Sequence, residues 1–125
     1  MTQQRKVEDY MKTIYLLQSK GPVRGMYIAQ ELGVSRPTVA VSLKRLEQEG
    51  YLRRQSDHSV SLTPKGLTIA KEIAERNSSI LQLLVCLGVG RETAARDACS
   101  MEHAISRESY CALLSLAESR SVGKE

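Results

Sequence analysis

Apolar side chains recur every three or four residues over 5–19, RKVEDYMKTIYLLQS, where Val7, Tyr10, Met11, Ile14 and Leu17 share one face. That spacing predicts an amphipathic helix, and Gly21-Pro22 ends it. A short helix is expected over 24–32, with Ile28, Ala29 and Leu32 inward and Gly33 as the breaker. A third follows, with Ser35 as N-cap, Pro37 in the first turn, Val39, Leu43 and Leu46 inward, and Gly50 at its end. The pattern then shortens: YLRRQ and SVSLT are β-capable runs joined by polar turn residues, which predicts a small hairpin. Thr63 as N-cap and Pro64 at the first helical position open a long helix to Cys86, with Leu67, Ala70, Ile73, Ala74, Ile80, Leu81 and Leu84 along it. LGVGRE breaks that helix. Two more are expected at about 91–102 and 106–119, then SRSVGKE as a frayed tail.

Two short helices, a tight turn and a hairpin define a winged helix-turn-helix. The turn ELGVS supplies the small and apolar residues that let the third helix cross the second. Length sets the scale, since 125 residues make one compact domain or a small domain with a helical extension. Five Tyr with no Phe or Trp leave the core to aliphatic side chains. A net charge of +4 agrees with a polyanionic partner. No secretory h-region and no bilayer-long apolar run are present, so the expected compartment is the cytoplasm, with no membrane partner. Cys86, Cys99 and Cys111 are expected as reduced thiols rather than a disulfide framework. Cys86 and Cys111 read as helix packing residues.

The third helix would enter a major groove by its N-terminal end and present Ser35, Arg36, Pro37, Thr38, Val41 and Ser42 to base edges. Lys44 and Arg45 lie further along, where phosphates pass, and Arg53, Arg54 and His58 belong to the hairpin. Arg36 is the residue there suited to bidentate guanine readout; Pro37 and Val41 suit thymine methyls. The competing reading is a protein–protein module whose charges are simply solvated.

RDACSMEHAIS, residues 96–106, carries a second constellation. Cys99, Glu102 and His103 are spaced i, i+3, i+4 and share one face of a helix. Thiolate, carboxylate and imidazole together make half or more of a transition-metal shell. The same triplet also reads as a small packed thiol, a solvated acid and a capping imidazole. No separate nucleophile, base or glycine-rich phosphate loop accompanies it, so an enzyme is not expected.

EDYMKTIYLL, SRPTV, LTPKG and ACSMEH, in that order and spacing, resemble the first helix, recognition helix, linker-helix entry and metal motif of the metal-dependent repressors. These are typified by the diphtheria toxin repressor and the manganese transport regulator. The resemblance covers about Val7 to Ser106. It implies a mostly α fold, a winged helix-turn-helix over 1–63 followed by an all-helical metal-binding and dimerisation domain over 64–125. It also implies a homodimer on a pseudo-palindromic double-stranded DNA operator. Four ligands follow from it: Cys99, Glu102 and His103 match motif positions, and Asp9 matches a ligand position on the first helix. Where the family places second-site ligands, this chain has Lys12, Asn77, Leu81 and Ala95. The expectation is therefore one divalent transition metal per chain. Ligand softness favours Fe(II), Zn(II), Co(II) or Ni(II) over Mn(II); Fe(II) is the ion expected, with Mn(II), Zn(II), Co(II) and Ni(II) admitted. The function so implied is a metal-responsive repressor; the alternative is a winged-helix factor of the same family that has lost metal control.

Overall fold

The computed structural model describes residues 3–123, with side chains to 119. Helix α1 (Gln3–Leu17) runs into a 3-10 turn (Gln18–Lys20) and is followed by α2 (Gly25–Leu32) and α3 (Arg36–Gln48). Strands β1 (Leu52–Arg54) and β2 (Val60–Leu62) form the hairpin. Then come α4 (Pro64–Cys86), α5 (Arg91–Ala104) and α6 (Arg107–Gly123). The chain divides into two compact units, Met1–Glu72 and Ile73–Glu125, with the division inside α4.

In the first unit the apolar stripes of α1, α2 and α3 converge on one core with Leu52, Val60 and Ala70. Met11, Ile14 and Ile28 are completely buried there. Gly33 takes φ 68°, the left-handed conformation that lets α2 stop abruptly, and Val34 N–H donates to the Ala29 carbonyl across it at 3.1 Å. Ser35 then caps α3, accepting from Thr38 N–H at 3.2 Å.

The hairpin pairs Leu52 with Leu62, Arg53 with Ser61 and Arg54 with Val60, antiparallel. A contact not foreseen in the sequence widens it: Val23 bridges Val60, whose N–H donates to the Val23 carbonyl at 2.8 Å. The turn residue His58 has φ 68°. Asp57 Oδ1 accepts from both Ser59 N–H (3.0 Å) and Ser59 O–H (2.6 Å). The Ser59 hydroxyl, then its N–H, hold the Asp57 carboxyl below its ordinary value.

LTPKG is the joint between the wing and α4, and Thr63, Lys65 and Gly66 make it. Thr63 O–H donates to the Gly50 carbonyl at 2.6 Å, and its oxygen accepts from Gly66 N–H at 3.3 Å. Lys65 Nζ donates to the Glu49 carbonyl at the end of α3 at 2.9 Å and lies 4.2 Å from the Tyr51 ring centroid. At Gly66 an added Cβ would stand 2.1 Å from the Tyr51 carbonyl oxygen and 2.9 Å from Met11 Sδ. Only glycine admits this approach of helix to backbone.

In the second unit Ile73, Ile80, Leu83, Ala94 and Ala98 are buried. Ser106 caps α6 by accepting from Ser109 N–H at 3.1 Å. Two expectations are corrected here. The expected tail is helical to Gly123, because α6 continues past 119; residues 124–125 lie outside the described residues. Cys86 and Cys111 are exposed rather than packed, because both fall on outward positions of their helices. Cys99 is exposed as well. Among the described residues no helix is long and apolar enough to cross a membrane.

Candidate metal centre and nucleic-acid interface

The candidate DNA-contacting residues lie on α3 and the wing. Ser35, Arg36, Pro37, Thr38, Val41, Lys44 and Arg45 are exposed, and Ser42 is half-buried. Val41 keeps 71% of its surface, unusual for an apolar residue on a helix whose other face fills a core. The Ser35 and Thr38 hydroxyls lie 2.7 Å apart, so part of their bonding capacity serves the helix cap. Arg45 Nε donates to Glu49 Oε1 at 3.2 Å, an exposed pair that a phosphate would have to displace.

Arg53 and Arg54 are exposed on β1, and Arg54 N–H donates to Glu47 Oε2 at 3.1 Å, tying the strand to α3. Arg24 Nη1 donates to the Asp57 carbonyl at 2.8 Å, with Nη2 3.7 Å from its carboxylate, and so straps the wing tip to the start of α2. Sequence reading missed this strap, because nothing local links residues 33 positions apart.

The candidate metal motif, Cys99, Glu102 and His103, lies on α5. Glu102 is completely buried, the His103 ring is 2% exposed, and His103 Nε2 is 3.2 Å from Glu102 Oε1. A carboxylate and an imidazole held together out of water fit a divalent transition ion by donor chemistry. Cys99, one turn earlier, is exposed, and Asp9 is half-buried on α1 between buried Val7 and Tyr10. The structure thus brings Glu102 and His103 together. No group of three or more His, Cys, Asp or Glu placed to hold an ion occurs among the described residues. Of the second-site positions, Lys12, Asn77 and Leu81 are half-buried and Ala95 is exposed.

A cation missed in the sequence organises this turn. Arg76 of α4 donates from Nη1 to the Glu102 carbonyl (3.4 Å) and the Ile105 carbonyl (3.3 Å). Its guanidinium lies 5.4 Å from the Tyr110 ring centroid, and Tyr110 O–H meets Ser79 Oγ at 3.2 Å.

A winged helix continued by a helical unit is an architecture of DNA-binding regulators, and here the helical unit bears a buried Glu–His pair. Comparison with known proteins narrows it. Residues 3–60 match the family model of the iron dependent repressor, N-terminal DNA binding domain. Residues 63–120 match that of the iron dependent repressor, metal binding and dimerisation domain.

The transcriptional regulator MntR of Salmonella typhimurium is 38% identical over 120 residues, 95% of this chain and 76% of that protein. The iron-dependent repressor IdeR of Mycobacterium tuberculosis is 36% identical over 104 residues, 81% of this chain and 45% of that protein. The solved structure of a manganese-dependent transcriptional repressor in complex with manganese superposes with a TM-score of 0.82 at 26% identity. That match covers 90% of this chain and 52% of the solved one. The chain belongs to the iron-dependent repressor family of metal-dependent transcriptional regulators, which are not enzymes. It spans about half the length of that solved repressor.

Proposed function

We propose that the chain is a cytoplasmic, homodimeric repressor whose affinity for a pseudo-palindromic operator is raised by one divalent transition metal per chain, with ligands drawn from α1 (Asp9) and α5 (Cys99, Glu102, His103). The observation that carries the reading is the buried contact between Glu102 and His103 in the last turn of α5. A carboxylate and an imidazole held side by side out of water are donors of the kind a divalent transition ion takes. Bound, a divalent ion supplies the positive charge and coordination bonds that hold its ligand residues in one arrangement. Cys99 enters as thiolate and releases a proton.

Asp9, Cys99 and Glu102 then carry three negative charges, more than one divalent ion neutralises. Lys12 balances the excess, and Asn77 in place of a stronger ligand disfavours a second ion. Thiolate and imidazole favour Fe(II), Zn(II), Co(II) or Ni(II) over Mn(II), and Fe(II) is the ion proposed. Ser35, Arg36, Pro37, Thr38, Val41 and Ser42 face base edges, with Arg36 suited to guanine; Lys44 and Arg45 meet phosphates, and Arg53 and Arg54 meet DNA from the wing. Residues 1–63 carry DNA recognition, and 64–125 metal binding and dimerisation.

The lack of a gathered ligand cluster among the described residues favours a second reading, a family member that binds DNA without metal. One experiment separates the two. A random duplex pool is selected on reduced protein with a chelator, then with Mn(II) or Fe(II). The first reading expects a pseudo-palindrome enriched in the metal arms alone. Equal enrichment with chelator rejects metal control.

A further inference from the structure

We propose that Arg76 is a positioning residue for the metal motif, holding the last turn of α5 so that Glu102 and His103 present their side chains as a pair; this rests on the metal reading above. The final carbonyls of a helix lack intrahelical partners. In α5 those carbonyls include that of Glu102, a ligand itself. Arg76 Nη1 donates to the carbonyls of Glu102 and Ile105, one on each side of the helix end. The two bonds fix the backbone on both sides of His103. A cation at this end also suits the helix dipole.

The guanidinium is itself fixed. Tyr110 of α6 offers its ring at 5.4 Å, and the Tyr110 hydroxyl is anchored to Ser79, one turn along α4 from Arg76. Arg76 therefore joins α4, the end of α5 and α6 at one point. Glu102 is completely buried with Oε1 3.2 Å from His103 Nε2, so a shift of the backbone that carries both residues would move the pair. A ligand pair held this way needs less reorganisation on binding than one on a frayed turn, which would need ordering first. Arg76 touches ligand backbone and no ligand atom, and it acts through geometry.

The test uses the full chain, reduced and metal-free, titrated calorimetrically with Mn(II) and Co(II), with the Co(II) visible spectrum as a second reading. Arg76→Met keeps the stem and removes the donor; it is expected to weaken binding about 10- to 100-fold, the cost of losing an outer partner of a ligand. Its Co(II) bands should shift, which loss of stability alone would not cause. Arg76→Lys restores one donor nitrogen and should bind more tightly than Arg76→Met; equal affinity of the two overturns the proposal. Tyr110→Leu removes the ring beneath the guanidinium and should cost about threefold, the scale of a cation–π contact. Should Arg76→Met fail to fold, wild-type affinity in Tyr110→Leu overturns the proposal by itself. Glu102→Gln separates the two levels. If it abolishes binding while Arg76→Met binds as wild type with an unchanged spectrum, the positioning role is refuted and the metal site stands. If the wild type binds neither ion, both fail.

Discussion

Gly66→Ala adds one methyl where α4 passes closest to the wing. The new carbon would lie 2.1 Å from the Tyr51 carbonyl oxygen, 3.2 Å from its carbon and 2.9 Å from Met11 Sδ. Met11 Sδ belongs to a completely buried side chain with no room to retreat. The Tyr51 carbonyl is backbone, and it accepts from Thr63 N–H at 3.1 Å, so moving it strains the joint that Thr63 builds. Overpacking of a tight site costs about 1–3 kcal/mol, and a backbone clash this short belongs at or above the upper end. Alanine's better helix propensity offsets at most about 1 kcal/mol, and less in a first turn.

A net loss of about 2–3 kcal/mol is expected, read as a lower urea midpoint at unchanged slope. Gly25→Ala is the internal control. Its added carbon meets only Val39 and Leu43 side chains at 3.8 and 4.0 Å, ordinary contact. It should be neutral or stabilise by up to about 1 kcal/mol. Equal midpoint shifts in the two variants would refute the reasoning.

Arg36→Ala should broaden the base preference of a selected duplex, whereas Lys44→Ala should weaken all duplexes alike and reduce the salt slope by about one unit; a changed preference in Lys44→Ala would reverse these roles. Cys99→Ala should lose metal affinity strongly while Cys86→Ala and Cys111→Ala, both exposed, keep it in calorimetry; three equal affinities would remove Cys99 from the site. Asp57 has a lowered folded value, so its contribution to the wing turn is present above the ordinary carboxylate range and fades as pH falls through that lowered value. The Ser59 amide resonance should follow this titration, and a midpoint at or above that of a free aspartate would contradict it.

The winged helix was legible because each device is local. Ser35 as a cap, Gly33 as a left-handed stop and Thr63-Pro64 as a helix start act on neighbours three or four residues away. The limits of α4 follow from Thr63 and from Gly88 in LGVGRE, which takes φ 98°. What escaped sequence reading is long-range. Val23 meets Val60, Arg24 meets Asp57 and Arg76 meets Glu102 across separations that no periodicity encodes. Gly66 looked like a plain helix residue, since the constraint lies in a carbonyl fifteen positions earlier. The exposed Cys86 and Cys111 show the reverse error: a thiol among leucines reads as core until the rotation of its helix is known. Glu102 and His103 are chain neighbours, but neighbours on a helix do not face each other, so both their contact and their burial came only with the tertiary fold.

Native mass spectrometry of the reduced protein, titrated with Mn(II) and with Zn(II), tests the metal-responsive reading most directly. A dimer that gains two ions, one per chain, is expected, and a Glu102→Gln dimer that gains none. Saturation at two ions per chain, or a wild-type dimer that takes up no ion, would contradict it.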